Sequence, residues 1–121
     1  MKTLVMIKPD GVEKKCVGLI IGLIENADLE ITRMESTFLS TSKAESLYSE
    51  HRDQWYFERN IKHVTSGRVV LLQVEGDDAI KKTRQIVEDV RNQFEIELPR
   101  NLIHASSRRS KAAEELAAVG F

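Results

Sequence analysis

VVLLQV, residues 69–74, is an apolar run that marks the centre of the predicted fold. Five of its six residues are apolar, and Gly67 and Gly76 bound the run on either side. In a strand these apolar residues fall on both faces, because successive side chains point to opposite sides of a sheet. We therefore predict a strand that is buried on both faces, which is typical of the centre of a sheet.

The residues before this segment alternate between strand-like and helix-like patterns. KTLVMI (residues 2–7) predicts a first strand that KPDG closes as a turn signal. From Cys16 to Asn26 the sequence predicts an amphipathic helix, because apolar residues recur at helical spacing: Val17, Ile20, Ile21 and Ile24. LEITRMESTFL (residues 29–39) predicts a second strand, and its imperfect alternation indicates a β-bulge.

Helices are predicted before and after the central segment along the chain. Ser42 and Glu45 form a capping box for one helix, and WYFERNIKHV (residues 55–64) predicts a second. After VVLLQV, either Asp77 or Asp78 caps a further helix. The chain continues with a last strand at NLIHAS (residues 101–106) and a last helix at SKAAEELAAV (residues 110–119).

The element order, β-α-β-α-α-β-α-β-α, contains two β-α-β halves. It predicts the α+β class, and within it a ferredoxin-like sandwich: a four-stranded antiparallel sheet with helices on one face, plus additional short helices. The length of 121 residues suits a single domain over residues 1–121. The pattern does not specify the order of the strands in the sheet.

Composition argues against several classes of protein. The chain is 41% hydrophobic and 31% charged, and no apolar run approaches the ~20 residues that span a bilayer. A net charge of −1 argues against nucleic acid as a partner. Cys16 is the single cysteine and cannot form an internal disulfide, which favours a reducing compartment and hence a cytoplasmic protein.

The side chains suited to chemistry are mostly groups that bind anions. The three histidines lack metal-ligand spacing, and no Walker loop, G-x-G-x-x-G or G-x-S-x-G motif is present. Arginine and a helix N-terminus bind phosphate oxygens. The groups of this kind at strand and helix ends are Lys8, Arg84, Arg91, His104 and the helix start after Ser106.

His104 has two interpretations at this stage. It is either a structural histidine at the end of a buried strand, or a reactive one that serves as ligand, base or nucleophile. Glu115 lies eleven residues further on, and a helix that folds back on its strand brings this carboxylate to the imidazole and orients the ring. Spacing alone favours the structural histidine.

A family resemblance changes this balance. TLVMIKPDGV (residues 3–12) and RNLIHAS (residues 100–106) resemble the two signature stretches of the nucleoside diphosphate kinase family. Further similar segments follow in the family's order: LYSEHRDQWYF, SGRVVLLQVEG and RNLIHASSRRSKAAEEL. The resemblance implies the ferredoxin-like fold and a ping-pong reaction. In that reaction a histidine takes the γ-phosphate of a nucleoside triphosphate and passes it to a nucleoside diphosphate, with broad base tolerance.

The resemblance also implies roles for the residues that would contact the nucleotide. Lys8 matches a lysine on the ribose hydroxyl and the phosphates, and Asn101 matches an asparagine on the ribose. Arg84 and Arg91 fall where the family has two phosphate-binding arginines, and Tyr56 falls where an aromatic ring stacks on the base. Mg²⁺ would arrive with the nucleotide, so no protein metal site is expected.

The residues around the reacting phosphate follow from the same resemblance. His104 matches the nucleophile, and Tyr48 matches a tyrosine near the transferred phosphate. Glu115 and Ser106 match the pair that orients the histidine ring, and Glu50 would support it from further away. The family's dimer, built on the second strand and first helix, implies at least a homodimer here.

One segment departs from the family pattern. Only QIVEDV separates Arg84 from Arg91, where the family has a longer segment with glycine, proline and threonine. We expect this shortening to loosen nucleotide binding more than it harms the chemistry. Two alternatives stay open: a kinase-like binding module with poor turnover, and a ferredoxin-like sensor of small metabolites.

Overall fold

A four-stranded antiparallel sheet forms the centre of the computed structural model, which describes residues 1–94, 96, 98 and 100–121. The strand order is β2-β3-β1-β4. β3 pairs with both β1 and β2, as predicted for the segment VVLLQV, and β4 pairs with β1. The strands span Lys2–Ile7 (β1), Glu30–Phe38 (β2), Arg68–Glu75 (β3) and Ile103–Ala105 (β4).

The described part of the chain contains six α-helices, five between strands and one after the last strand. They span Pro9–Glu13 (α1), Val17–Asn26 (α2), Thr41–Leu47 (α3), Phe57–Val64 (α4), Ala79–Gln93 (α5) and Arg109–Ala118 (α6). A single 3₁₀ turn at Ser49–His51 follows α3. The α+β class and the ferredoxin-like arrangement are confirmed.

Helices cover both faces of the sheet, and here the prediction of helices on one face is wrong. α2 and α5 bury Val5, Ile7, Leu72 and other residues on one side of β1 and β3. α3, α4 and α6 cover the other side, which is built on Leu4, Met6, Val69 and Leu71. The reason is visible in the two central strands: both are apolar at successive positions, so each face needs its own cover.

β2 forms one edge of the sheet in the described residues, and most of its side chains are exposed. The predicted β-bulge is confirmed, because the register with β3 shifts between Ile31 and Arg33. Met34 and Phe38 are each 62% exposed. This edge therefore exposes two large apolar side chains as well as a row of backbone groups.

Two helix starts differ from the predictions. Ser40, not Ser42, caps α3, and its side chain accepts a hydrogen bond from the backbone N–H of Lys43 at 3.1 Å. KPDG, predicted as a turn, instead opens α1 with Pro9 in its first turn, where proline is well tolerated. Asp78 occupies the N-cap of α5, as one of the two predicted positions.

Candidate active site

His104 lies in the middle of the short edge strand β4, opposite Met6 of β1. Its neighbours Ile103 and Ala105 are buried on the α5 side of the sheet, so its own side chain points to the α3 and α6 side. The side chain is 22% exposed, and its ring meets that of Tyr48 edge-on with centroids 5.6 Å apart. The predicted histidine is thus close to the surface, with an open side.

The carboxylate of Glu115 orients the imidazole from below. Its Oε1 accepts hydrogen bonds from Nε2 of His104 and from Oγ of Ser106, both at 2.8 Å. Burial acts to raise the pKa of Glu115, but the bonds from His104 and Ser106 and the charge of Lys111 hold it below its ordinary value. The carboxylate is therefore ionised and keeps the imidazole proton on Nε2, which leaves the lone pair of Nδ1 available.

Lys8 and Asn101 meet beside the histidine. Nζ of Lys8 donates a hydrogen bond to Oδ1 of Asn101 at 2.6 Å, although the two residues are 93 positions apart in sequence. Burial lowers the pKa of Lys8 to about 8; Asp10 opposes this shift, and the charges of Arg91 and Arg59 add to it. Lys8 is thus a cation near neutral pH that loses its charge more readily than a surface lysine.

Asp10 fixes the turn that precedes the histidine. Leu102 has a left-handed backbone with φ of 72°, a conformation that costs a non-glycine residue roughly 1–2 kcal/mol. Its N–H donates to Oδ2 of Asp10 at 3.0 Å, while Oδ1 of Asp10 contacts Nε2 of His63 at 2.9 Å. The carbonyl of Leu102 in turn accepts from the N–H of Lys8 at 2.8 Å. These contacts hold Asn101 and His104 in place, and no motif or spacing in the sequence indicated Asp10 or His63.

Arg84 and Arg91 lie along the free edge of β4. Nη2 of Arg91 donates to the carbonyl of Ile103 at 2.9 Å, and its Nε donates to that of Asn101 at 3.1 Å. Nη1 of Arg84 donates to the carbonyl of Ala105 at 3.3 Å. The two arginines are about two turns apart on one helix, so both reach the same strand. They satisfy carbonyls that face away from β1.

A cavity of about 240 Å³ opens in front of the histidine. Its wall includes most of the residues predicted to bind nucleotide, together with Arg59, Asn60 and Leu98, which were not predicted. Arg59 and Asn60 follow Tyr56 at i+3 and i+4, so helical spacing was the signal that would have found them. The remaining predicted residues in the wall are Lys8, Tyr48, Tyr56, Arg91, Asn101 and His104.

Four predicted residues lie outside this cavity. Ser106 and Glu115 are buried behind the histidine ring. Arg84, predicted to bind phosphate, instead lines a separate cavity with Lys81, Ser107 and others. Glu50 contacts Arg108 at 3.2 Å, Lys111 at 3.7 Å and His51 at 3.6 Å, and none of these contacts reaches the imidazole of His104.

The described residues contain neither a cluster of three metal-binding side chains nor a helix long and apolar enough to cross a membrane.

Tyr56 is held at the cavity mouth by a hydrogen bond of 2.9 Å between its hydroxyl and Nδ1 of His51. In the part of the chain that the structure covers, the buried hydroxyl of Tyr48 has no hydrogen-bond partner. An aromatic ring, several cations and an unpaired donor thus face one cavity, an arrangement suited to a phosphorylated aromatic ligand.

Comparison with known proteins gives a consistent family. The family model for nucleoside diphosphate kinase matches residues 1–119. A nucleoside diphosphate kinase of Archaeoglobus fulgidus is 36% identical over 95% of this chain and 83% of its own, and that of Methanocaldococcus jannaschii is 35% identical over 95% and 89%.

Solved structures agree with the sequence relatives. The nucleoside diphosphate kinase of Aquifex aeolicus superposes with a TM-score of 0.92 at 29% identity, covering 99% of this chain and 94% of its own. The enzyme of Halobacterium salinarum, solved in complex with CDP, gives 0.90 at 29% identity, with 98% and 86% covered. This chain belongs to the nucleoside diphosphate kinase family.

Proposed function

We propose that this chain transfers the γ-phosphate of a nucleoside triphosphate to a nucleoside diphosphate through a phosphohistidine on His104. The observation that carries the proposal is the hydrogen bond from Nε2 of His104 to Glu115, because it leaves Nδ1 as the nucleophilic nitrogen. The Nδ1 lone pair attacks the γ-phosphorus while the bond from phosphorus to the β,γ-bridging oxygen breaks. The nucleoside diphosphate leaves with that electron pair. A second nucleoside diphosphate then takes the phosphate from Nδ1 by the reverse of this step.

The negative charge on the transferred phosphoryl group would be stabilised by cations and a hydroxyl donor in the cavity wall. Lys8 and Arg91 face the cavity as cations, and both are fixed by hydrogen bonds to residues 101–103. The hydroxyl of Tyr48 stays protonated, because burial and the charge of Glu115 raise its pKa far above the ordinary value. It therefore donates to a phosphate oxygen, and such preorganised donors stabilise the transition state of phosphoryl transfer.

Glu115 and Ser106 serve as positioning residues. When Nδ1 attacks, the imidazole gains positive charge because Nε2 keeps its proton, and the carboxylate of Glu115 stabilises that charge at 2.8 Å. Ser106 donates to the same carboxylate oxygen and prevents it from turning away from the ring. Neither residue needs to touch the phosphate.

The nucleoside is assigned to the outer part of the cavity. We assign the ribose hydroxyl to Lys8 and Asn101 and the base to the ring of Tyr56, which is half-buried at the mouth. Stacking on an aromatic ring accepts every base, which supports broad base specificity. The presence of CDP in the related structure from Halobacterium salinarum is consistent with a nucleotide in this cavity.

Mg²⁺ enters this proposal as part of the substrate. Magnesium keeps several waters and is usually bound through one or two carboxylates plus substrate phosphates. The cations on the cavity wall suit the phosphate oxygens that the metal does not occupy. The metal would supply charge neutralisation at the leaving group.

We further propose that the protein is a cytoplasmic homodimer at least. The exposed edge strand β2, with Met34 at 62% exposure, lies next to Ile21 of α2, and together they form a surface that a second copy would cover. Cys16 is a free, buried thiol, which suits a reducing compartment. Sedimentation analysis of the purified protein tests the dimer, and a monomer at all concentrations would exclude it.

The phosphohistidine is tested by incubation with γ-labelled ATP and Mg²⁺. We expect an acid-labile label on the protein that GDP removes, and no label on His104→Ala. Labelling of His104→Ala, or an unlabelled wild-type protein, would contradict the proposal. Removal of the label by GDP also distinguishes an enzyme that turns over from a module that only binds nucleotide. No observation favours the binding module.

A further inference from the structure

The cations that face the candidate active site differ from those the sequence predicted. A nucleoside triphosphate brings several negative charges, and the prediction matched them with Lys8, Arg84 and Arg91. Arg84 lines a different cavity and donates to the carbonyl of Ala105. Arg59 of α4 is in the wall instead, so the cavity again holds three cations.

Arg59 is the cation that the surrounding protein holds least firmly. Lys8 donates to Asn101, and Arg91 donates to two backbone carbonyls. Within residues 1–94, 96, 98 and 100–121, the guanidinium of Arg59 forms neither a hydrogen bond nor an ion pair. Its charge nevertheless acts on Lys8, whose pKa it helps to lower, which places both in one electrostatic environment.

The ring of Trp55 is what Arg59 contacts. The guanidinium carbon lies 4.9 Å from the centroid of the indole, and Trp55 is 80% exposed. Cation–π attraction at an exposed site is weak. A guanidinium binds a phosphate through two parallel charged hydrogen bonds, which is a much stronger interaction. A phosphate in the cavity therefore competes successfully with Trp55 for this side chain.

We infer that Arg59 is a nucleotide-binding residue of this chain, resting on Trp55 in the free protein and moving to a phosphate of the bound nucleotide. The inference rests on the proposed function, since the nucleotide must occupy this cavity. Arg59 of α4 thus takes the role of third phosphate-binding cation, which the sequence had predicted for Arg84.

Trp55 supplies the readout, because it is the single tryptophan of the chain. We would titrate wild-type protein and Arg59→Gln with Mg²⁺-ADP, Mg²⁺-GDP, Mg²⁺-CDP and inorganic tripolyphosphate, taking each Kd from calorimetry and following tryptophan fluorescence in parallel. The wild type should show a saturable change with all four probes. In Arg59→Gln we expect every Kd to rise about ten-fold, as for loss of a hydrogen bond to a charged group.

Arg52→Gln is the matched control. Arg52 is also exposed and lies over an aromatic ring, that of Phe57 at 5.8 Å, but it is outside the cavity wall. Its affinities should equal those of the wild type. Arg59→Lys should recover part of the loss, since it restores a charge without the bidentate geometry. In turnover assays, Arg59→Gln should raise KM with little change in kcat.

Two results would overturn the inference. Unchanged affinity of Arg59→Gln for tripolyphosphate shows that Arg59 does not bind phosphate, and a loss confined to one base shows that it reads a base edge. Failure of the proposed function is a separate result, because wild-type protein would then take no label on His104 from γ-labelled ATP. Arg59→Gln at saturating ATP should still be labelled.

Discussion

Replacement of Glu115 by glutamine isolates the negative charge that contacts His104. The side chain is 5% exposed, and its Oε1 accepts two hydrogen bonds of 2.8 Å. A glutamine oxygen can accept the same two bonds, so the shape and the hydrogen-bond pattern survive. What disappears is the attraction between a carboxylate and an imidazole that becomes positive during attack on phosphorus.

The magnitude follows from the two kinds of hydrogen bond. A bond to a charged group contributes about 1.5–3 kcal/mol, and a neutral one about 0.5–1.5 kcal/mol. Loss of the charge should therefore cost about 1.4 kcal/mol in the transition state, or about ten-fold in rate. Glu115→Ala also leaves the buried hydroxyl of Ser106 unpaired, and the loss should reach about a hundred-fold.

The assay is single-turnover phosphorylation with γ-labelled ATP and Mg²⁺, quenched at short times and counted as acid-labile label. Urea unfolding of each variant checks that the fold is intact. Ser106→Ala is the control, because it keeps the charge and removes one of the two donors; we expect a smaller effect. A Glu115→Gln variant that phosphorylates at the wild-type rate would refute a role for the charge.

Other perturbations test the remaining assignments. The Kd for ADP should rise as the pH increases through about 8, because burial lowers the pKa of Lys8 to about 8, and Lys8→Ala should lack this inflection in a binding titration. Gly11→Ala places a Cβ 2.6 Å from the carbonyl oxygen of Leu102, so urea unfolding should show a loss of about 1–3 kcal/mol. Arg84→Ala should lower stability by about 1 kcal/mol with little effect on ADP affinity, whereas Arg91→Ala should weaken both; an equal loss of affinity would contradict this.

The segment between Arg84 and Arg91 is helical. QIVEDV continues the helix, and α5 runs from Ala79 to Gln93. Arg84 and Arg91 consequently occupy one helix face, and their guanidinium groups donate to carbonyls of residues 101, 103 and 105. A continuous helix thus supports the strand that carries His104, and Arg84 on that helix lines a separate cavity.

The contact between His104 and Glu115 was predictable because its signal is local, whereas the roles of the other residues of the candidate site came from the family resemblance. His104 follows two apolar residues, and Glu115 is eleven positions further along on the next helix, so a strand and a returning helix suffice to join them. Asp10 and His63 were not predictable in this way. Their contact joins residues 53 positions apart, and neither hydrophobic period nor motif spacing reports such a pairing.

Periodicity and motif spacing in the sequence predicted the four strands, most of the helices, the central position of β3 and the carboxylate beside the histidine, because these signals act over a few residues, whereas the helix at KPDG was not predicted. The tertiary structure decided which side chains face the cavity. Strand order places Lys8 against Asn101. Helix α4 brings Arg59 into the cavity wall, whereas Arg84 of α5 lines a separate cavity. These outcomes depend on how helices cross a twisted sheet, and that geometry is set by packing between distant parts of the chain.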